Sequence, residues 1–357
     1  MSDRLPLPLT ALSAALATAS TAHAQWAVTR LNPQGSPYSV AYAASGSQQV
    51  GDAFLAGNHH AVLWNGAADS YIDLHPAGHS SSYALAAGGS QQAGYVGFAS
   101  GALHASLWNS TAASWVDLNP AASAGSYAYA TDGAHQAGLS LVGGVARASL
   151  WSGTAASWVD LNPSGSTNSV AFAVSGSSQA GIAVVNEVYH ASLWSGTAQS
   201  WVDLNPAGWE QSYALAISGS QQAGYTLNPQ NSHASLWNGT ADSWVDLNPA
   251  GATNSQAAAA SGSMQVGFAT VGGVGRASLW SGTAQSWVDL HAFLPAEFAG
   301  SGANGISTDG INTYVSGYGY NSVTRHYEAL LWTLPVPSPG PATLLSLSAL
   351  LATRRRR

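Results

Sequence analysis

Two fragments from opposite ends of the chain decide the fold: "HYEALLWTLP" (residues 326–335) and "QWAVTRLNP" (residues 25–33). The first begins a sentence that the chain writes many times and stops halfway. The second supplies the ending with no beginning. The full sentence is "HASLWSGTAQSWVDLNPAG" from His190, and nearly the same words start at His104 and His233. A Leu-Trp pair falls at Trp64, Trp108, Trp151, Trp194, Trp237, Trp280 and Trp332, with spacings of 44, 43, 43, 43, 43 and 52 residues. Seven residues after each of the first six stands a second aromatic: Tyr71, Trp115, Trp158, Trp201, Trp244 and Trp287. A Gly keeps the same period at Gly51, Gly94, Gly138, Gly181, Gly224, Gly267 and Gly317. A fixed period of this length marks a repeat architecture and outranks local readings.

One copy, residues 205–249, reads as four short strands. "QSYALAIS", "AGYTLN", "HASLW" and "SWVDLNP" are separated by the turns "GSQQ", "PQNS" and "NGTAD", the last with an Asn-Gly hairpin signal. Four antiparallel strands per repeat is the size of a β-propeller blade, and an open solenoid of hairpins is the competing arrangement. The split ends decide between them. Trp26 answers to the repeat's second Trp and Leu31-Asn32-Pro33 to its Leu-Asn-Pro, so a ring can complete its last blade with the N-terminal strand and hide its edges. The expectation is an all-β, seven-bladed propeller over 25–333. Its blades run about 34–76, 77–120, 121–163, 164–206, 207–249, 250–291, and 292–333 plus 25–33.

The flanks read differently. Residues 1–24, with an early Arg, an apolar run and Ala22-His23-Ala24, have the form of a signal peptide. A Pro-rich linker, 334–341, leads to an apolar stretch and Arg354–Arg357, over 342–357; this stretch is shorter than a spanning helix requires. Membrane contact is therefore expected only through this transient segment.

Composition narrows the function. There is no Cys and no Lys, and 7% of residues are charged. Between the flanks, four Arg face 15 acidic residues, a formal charge of −11 that disfavours nucleic acid. No metal or phosphate motif occurs, and no cofactor is expected.

The letters His, Ser and Asp recur together, but a nucleophilic triad is built once, from residues converging from different places. A pairing role fits the repetition better. The residue four before each Trp and the residue nine after it form His60/Asp73, His104/Asp117, Arg147/Asp160, His190/Asp203, His233/Asp246 and Arg276/Asp289. In the seventh blade Glu328 meets Arg30 from the N-terminal strand, with the polarity reversed. The two members are expected to lie directly opposite each other across a hairpin. The repeated Trp are expected between blades as core. Trp209 falls outside the register and is the candidate ligand-binding ring, while His59, His79, His135 and His291 are expected to be scattered and solvated.

The recurring unit resembles the HAF repeat of bacterial extracellular proteins, with Ser in place of Phe and Leu-Asn-Pro in place of Leu-Gly. The C-terminus resembles a PEP-CTERM sorting signal, with Val336-Pro337-Ser338-Pro339 as its motif and Ser338 where Glu is usual. These resemblances imply an exported protein at the surface or in the matrix of a Gram-negative-type bacterium, with an exosortase-type enzyme as partner. The function expected from all this is a non-catalytic propeller that binds or scaffolds extracellular material, polysaccharide being the candidate. The alternative is a glycan-acting hydrolase or lyase with its site at the central mouth, drawing on acids outside the repeat register: Asp52, Glu187, Glu210 and Glu297.

Overall fold

The computed structural model describes residues 25–336. The leader, residues 337–341 of the linker, the segment 342–357, and Pro337, Ser338 and Pro339 of the sorting motif lie outside the described residues. What is described is the expected ring: seven four-stranded antiparallel sheets, each a blade. Blade 1 consists of Ser39–Ser45, Gln48–Leu55, Asn58–Trp64 and Ile72–Asp73. Blade 7 consists of Phe298–Thr308, Asn312–Asn321 and His326–Pro335, and its outer strand is Ala27–Arg30 from the other end of the chain. Ala27 pairs with Thr333 and Arg30 with Leu330, so the circle is latched by backbone hydrogen bonds.

The repeated residues explain why the blades stack. Each Leu-Trp indole is 0–1% exposed and packs into a cluster shared with the preceding blade; Trp108, for example, sits among Val50, Leu63 and Leu74 of blade 1. In the second strand the periodic Gly lies opposite a β-bulge of the first. A Cβ built at Gly94 would come within 1.8 Å of the Tyr83 carbonyl oxygen, so no other residue fits there. A buried Ser near the start of each first strand joins neighbouring blades by accepting a backbone N–H from the previous third strand. The Ala191 N–H to Ser212 Oγ bond is 2.9 Å, and the ring closes with Ala329 N–H to Ser39 Oγ at 2.9 Å. Removing such a hydroxyl leaves a buried N–H without a partner, which costs about 1–3 kcal/mol.

The charged pairs form, but their geometry corrects the expectation that the members lie directly opposite each other. His60/Asp73, His104/Asp117, Arg147/Asp160, His190/Asp203, His233/Asp246 and Arg276/Asp289 close to 2.7–2.8 Å. In the ladder, however, Asp73 faces Val62, Asp117 faces Ser106 and Asp160 faces Ser149. Asp203 faces Ser192, Asp246 faces Ser235 and Asp289 faces Ser278. The His or Arg of each pair lies two residues away on the third strand, so every one of these six contacts is diagonal. The fourth strand is the reason. Its ladder covers two residues, such as Val116–Asp117, Val159–Asp160, Val202–Asp203, Val245–Asp246 and Val288–Asp289. The preceding "SGTAQS" or its equivalent winds into a 3₁₀ turn, as at Ala198–Ser200, rather than a two-residue hairpin. Each Asp also accepts a backbone N–H with its other oxygen. Asp117, Asp160 and Asp203 accept from Asn119, Asn162 and Asn205 at 2.8 Å, Asp246 from Asn248 at 2.7 Å and Asp289 from His291 at 3.0 Å. The seventh pair is looser. Arg30 stands 3.7 Å from Glu328 and gives its hydrogen bond to Glu297 instead.

The "His-Ala-Ser" serines are also structural. Ser192 Oγ accepts from Trp201 Nε1 at 2.9 Å and donates to the His190 carbonyl, so it is not aimed at a catalytic ring.

At the junctions, Asn119, Asn162, Asn205 and Asn248 accept a hydrogen bond from the stapling Ser; blades 1 and 6 use His75 and His291. Burial lowers the pKa of both histidines. A histidine with a lowered folded pKa contributes stability that is present above its unfolded value near 6.5 and is lost as pH falls below it. Protonated Nδ1 can no longer accept from Ser82 or Ser301. His75→Asn with His291→Asn, which supplies the residue used elsewhere in the ring, should therefore flatten the fall in Tm between pH 7 and 5. An unchanged pH dependence would contradict this role.

Candidate active site at the mouth of the propeller

The first strands line the central channel, with Tyr42, Leu85, Tyr129, Leu215, Ala258 and Asn304 at equivalent positions. At the end where those strands begin, between blades 7 and 1, lies a cavity of about 260 Å³ walled by Tyr38, Val40, Tyr42, Asn304, Tyr318 and Tyr327. Tyr42 is common to cavity and channel.

Blade 1 departs from the other six beside this cavity. The residue after the periodic Gly is Tyr95, Leu139, Ile182, Tyr225, Phe268 and Tyr318 in blades 2 to 7, but Asp52 in blade 1. Five before the Leu-Trp indole the chain reads Leu103, Ala146, Tyr189, Ser232, Gly275 and Tyr327, but His59 in blade 1. Asp52 pairs across the strands with Ala61 and His59 with Phe54, so the two side chains meet diagonally over the hairpin. His59 Nδ1 lies 2.5 Å from Asp52 Oδ2. Asp52 is fully buried, and its Oδ1 has no hydrogen-bond partner.

Burial pushes the Asp52 carboxyl above its ordinary range, opposed by the hydrogen bond and charge of His59 and by the Tyr42 hydroxyl. Burial, then the Asp52 charge, raises Tyr42 strongly and keeps it a neutral phenol; burial likewise raises Tyr38 and Tyr318. The His59 side chain is 34% exposed, and Nε2 makes no hydrogen bond among the described residues. The Tyr38 ring meets it edge-on at 5.2 Å and Tyr83 stacks on it at 5.3 Å.

A carboxylate that accepts Nδ1–H fixes the imidazole tautomer and leaves Nε2 as a basic lone pair, which is the arrangement of a general base. Tyr38 borders both the dyad and the cavity, so a substrate seated in the cavity lies next to that base. No group of three or more metal-ligating side chains occurs among the described residues.

Of the four acids outside the register, only Asp52 enters such a cluster. Glu187 sits at a left-handed turn with φ of 68°, Glu210 is exposed, and Glu297 binds Arg30. Trp209 is half-buried against His233 and Trp244, with ring centroids at 5.0 and 5.7 Å. Not all the histidines expected to be solvated are so. His59 is held by Asp52, His79 packs on Phe98 and Trp115, and His291 bonds Ser301. Sequence reading missed His59 and the cavity tyrosines. Comparing each repeat column for the one blade that departs would have found Asp52 and His59.

No protein-family model and no curated protein matches the chain. Solved propellers do resemble it. The β-propeller domain of the Trilobed protease from Pyrococcus furiosus superposes with TM-score 0.55 at 8% identity, over 84% of this chain and 95% of that one. Oligogalacturonate lyase from Vibrio parahaemolyticus gives 0.53 at 10%, over 88% and 98%. A puromycin hydrolase gives 0.52 at 12%, over 82% and 53%, so the chain spans about half the length of that protein. These similarities establish the fold. Two findings stand against the expectation of a non-catalytic scaffold. The three solved propellers named above carry the names of enzymes or of an enzyme's domain, and the premise that no unique constellation exists fails at Asp52 and His59.

Proposed function

We propose that the protein is an exported glycan-acting hydrolase that removes ester-linked acyl groups, with His59 as general base and Asp52 as its positioning residue. The observation that supports this reading most is the Asp52–His59 contact, a pair that no other blade carries at these two positions, set beside a tyrosine-walled cavity. Ester hydrolysis fits the residues present. Glycosidic cleavage ordinarily needs two carboxylates flanking the bond, and Asp52 is the one carboxylate among the cavity walls and the dyad. Elimination from a uronate favours a cation against the sugar carboxylate, and these walls carry neither Arg nor Lys.

In the proposed step, His59 Nε2 takes a proton from water and the resulting hydroxide adds to the acyl carbonyl carbon. Tyrosine hydroxyls, held neutral by burial, donate to the developing oxyanion. The bond from acyl carbon to sugar oxygen then breaks, and the proton on Nε2 passes to that oxygen. The products are a carboxylic acid and a free sugar hydroxyl. The leader-like residues 1–24 and the sorting-like tail support placement at the cell surface, which is where an extracellular acylated polysaccharide would be met.

The test is to incubate the mature protein with a panel of acetylated bacterial polysaccharides. Free acetate, new reducing ends and the ultraviolet absorbance of unsaturated sugars are followed together. Acetate without the other two products is expected. Reducing ends or unsaturated sugars in place of acetate would overturn the ester reading, and no turnover across the panel would overturn the enzymatic one.

A further inference from the structure

Around the same mouth, partly exposed aromatic rings form an unbroken arc that passes through His59 and runs on beyond the dyad and its cavity. From Tyr327 of blade 7 it passes to Tyr38 at 6.3 Å and His59 at 5.2 Å in blade 1. It continues to Tyr83 at 5.3 Å and Tyr95 at 4.7 Å in blade 2, Tyr127 at 5.0 Å in blade 3, and Tyr129 at 5.9 Å. It ends at Phe172 of blade 4, 5.5 Å further. The arc is not dictated by the repeat. The column that holds Tyr83 and Tyr127 also holds Tyr213 in blade 5, which stacks with Tyr189 and Tyr225 in a separate cluster, and it holds Val40, Val170, Gln256 and Gly302 in the other four blades, so the linked run of rings from blade 7 to blade 4 belongs to these blades and not to the repeat.

Aromatic faces bind the C–H faces of pyranose rings, and a row of them binds a row of sugars. From Tyr38 to Phe172 the arc carries neither Lys nor Arg. Lys is absent from the chain, Arg30, Arg147 and Arg276 are engaged with carboxylates, and Arg325 sits on the blade 7 hairpin tip rather than along Tyr38 to Phe172. A polymer of uronates would meet a chain of net negative charge with nothing to pair its carboxylates.

We propose that this arc is a binding track for an uncharged polysaccharide, and that the protein acts on internal positions of a polymer that runs from blade 1 across to blade 4. The inference rests on the ester-hydrolase reading for its catalysis but not for its binding.

The experiment uses Tyr127→Val, which places at that position the residue that blades 1 and 4 already carry, three rings from His59 along the arc. Kinetics are measured on acetylated xylan, acetylated alginate and the small ester 4-nitrophenyl acetate. Retardation of the mature protein in gels containing unacetylated xylan is measured separately. The expected result is a KM on acetylated xylan raised about tenfold with kcat held, unchanged kinetics on the small ester, and loss of gel retardation. Acetylated alginate is expected to be the poorer polymer. Retardation that depends on Tyr127 in a protein inactive on every ester would keep the track and discard the catalytic reading. Equal losses on xylan and the small ester would make Tyr127 structural and overturn the track, as would an unchanged KM, retardation that persists in the variant, or preference for alginate.

Discussion

Deleting residues 25–33 is expected to lower Tm by about 10 °C and to promote self-association. The segment carries four backbone pairings to His326–Pro335 and places fully buried Leu31 in the core shared by blades 7 and 1. Its Leu31 N–H donates to the Ala329 carbonyl at 2.8 Å, and Asn32 accepts from Ser39, the Ser that closes the ring. Losing one buried Leu costs about 2–5 kcal/mol before the hydrogen bonds are considered. For a domain of this size roughly 5 kcal/mol corresponds to a shift of about 10 °C. The exposed third strand of blade 7 would then offer a long free edge to other chains. Differential scanning calorimetry reads the first effect and size-exclusion chromatography the second. A truncated chain that melts at the same temperature as a monomer would show that the latch is not part of the folded unit. Restoration by a synthetic peptide of residues 25–33 would show that the effect belongs to this strand.

The largest expected effect on activity comes from His59→Gln. Positioned general bases contribute about 10²–10⁴ in rate, so kcat on the acyl substrate should fall by that factor while KM moves little. Asp52→Asn should fall by roughly 10² or more, because the amide no longer fixes the His59 tautomer. Its stability should move the other way. A carboxyl whose folded pKa is raised contributes most below its unfolded value, and that contribution is lost as pH rises through the raised value. At neutral pH wild-type Asp52 is therefore a cost to the fold, and Asp52→Asn should match or exceed wild type in Tm while losing activity. A variant that lost both together would mean that the pair is structural. This opposition between stability and turnover separates an active site from a buried ion pair.

The sequence carried the ring more completely than the site, and the residues show why. Seven copies of one pattern mark the period, and the half-units at 25–33 and 326–335 reveal closure, because both are statements about chain order. Spacing alone did not give the register of the last hairpin. The 3₁₀ turn at Ala198–Ser200 takes up residues that a two-residue turn would leave in the ladder, which moves Asp203 two positions along from His190. The equivalent turns do the same to Asp117, Asp160, Asp246 and Asp289. The site was obscured by its own logic. Periodicity shows what every blade needs, whereas Asp52 and His59 matter because one blade differs. Asp52 was visible as an acid out of register, but His59 looked like one of several stray histidines until the hairpin set it on Asp52. The tyrosine arc crosses four blade boundaries, and no linear pattern connects Tyr38 with Tyr83 and Tyr127.

Whether His59 supplies a basic nitrogen to an acylated substrate at the propeller mouth is tested most directly by chemical rescue. His59→Gly opens a space the size of an imidazole between Asp52, Tyr38 and Tyr83. With acetylated polysaccharide as substrate, free imidazole added to this variant should restore acetate release in a saturable manner. Restoration should follow the fraction of imidazole in its neutral form, and Asp52→Asn in the same background should weaken it. An inactive variant that imidazole cannot restore, or a variant as active as wild type without it, would contradict the role given to His59.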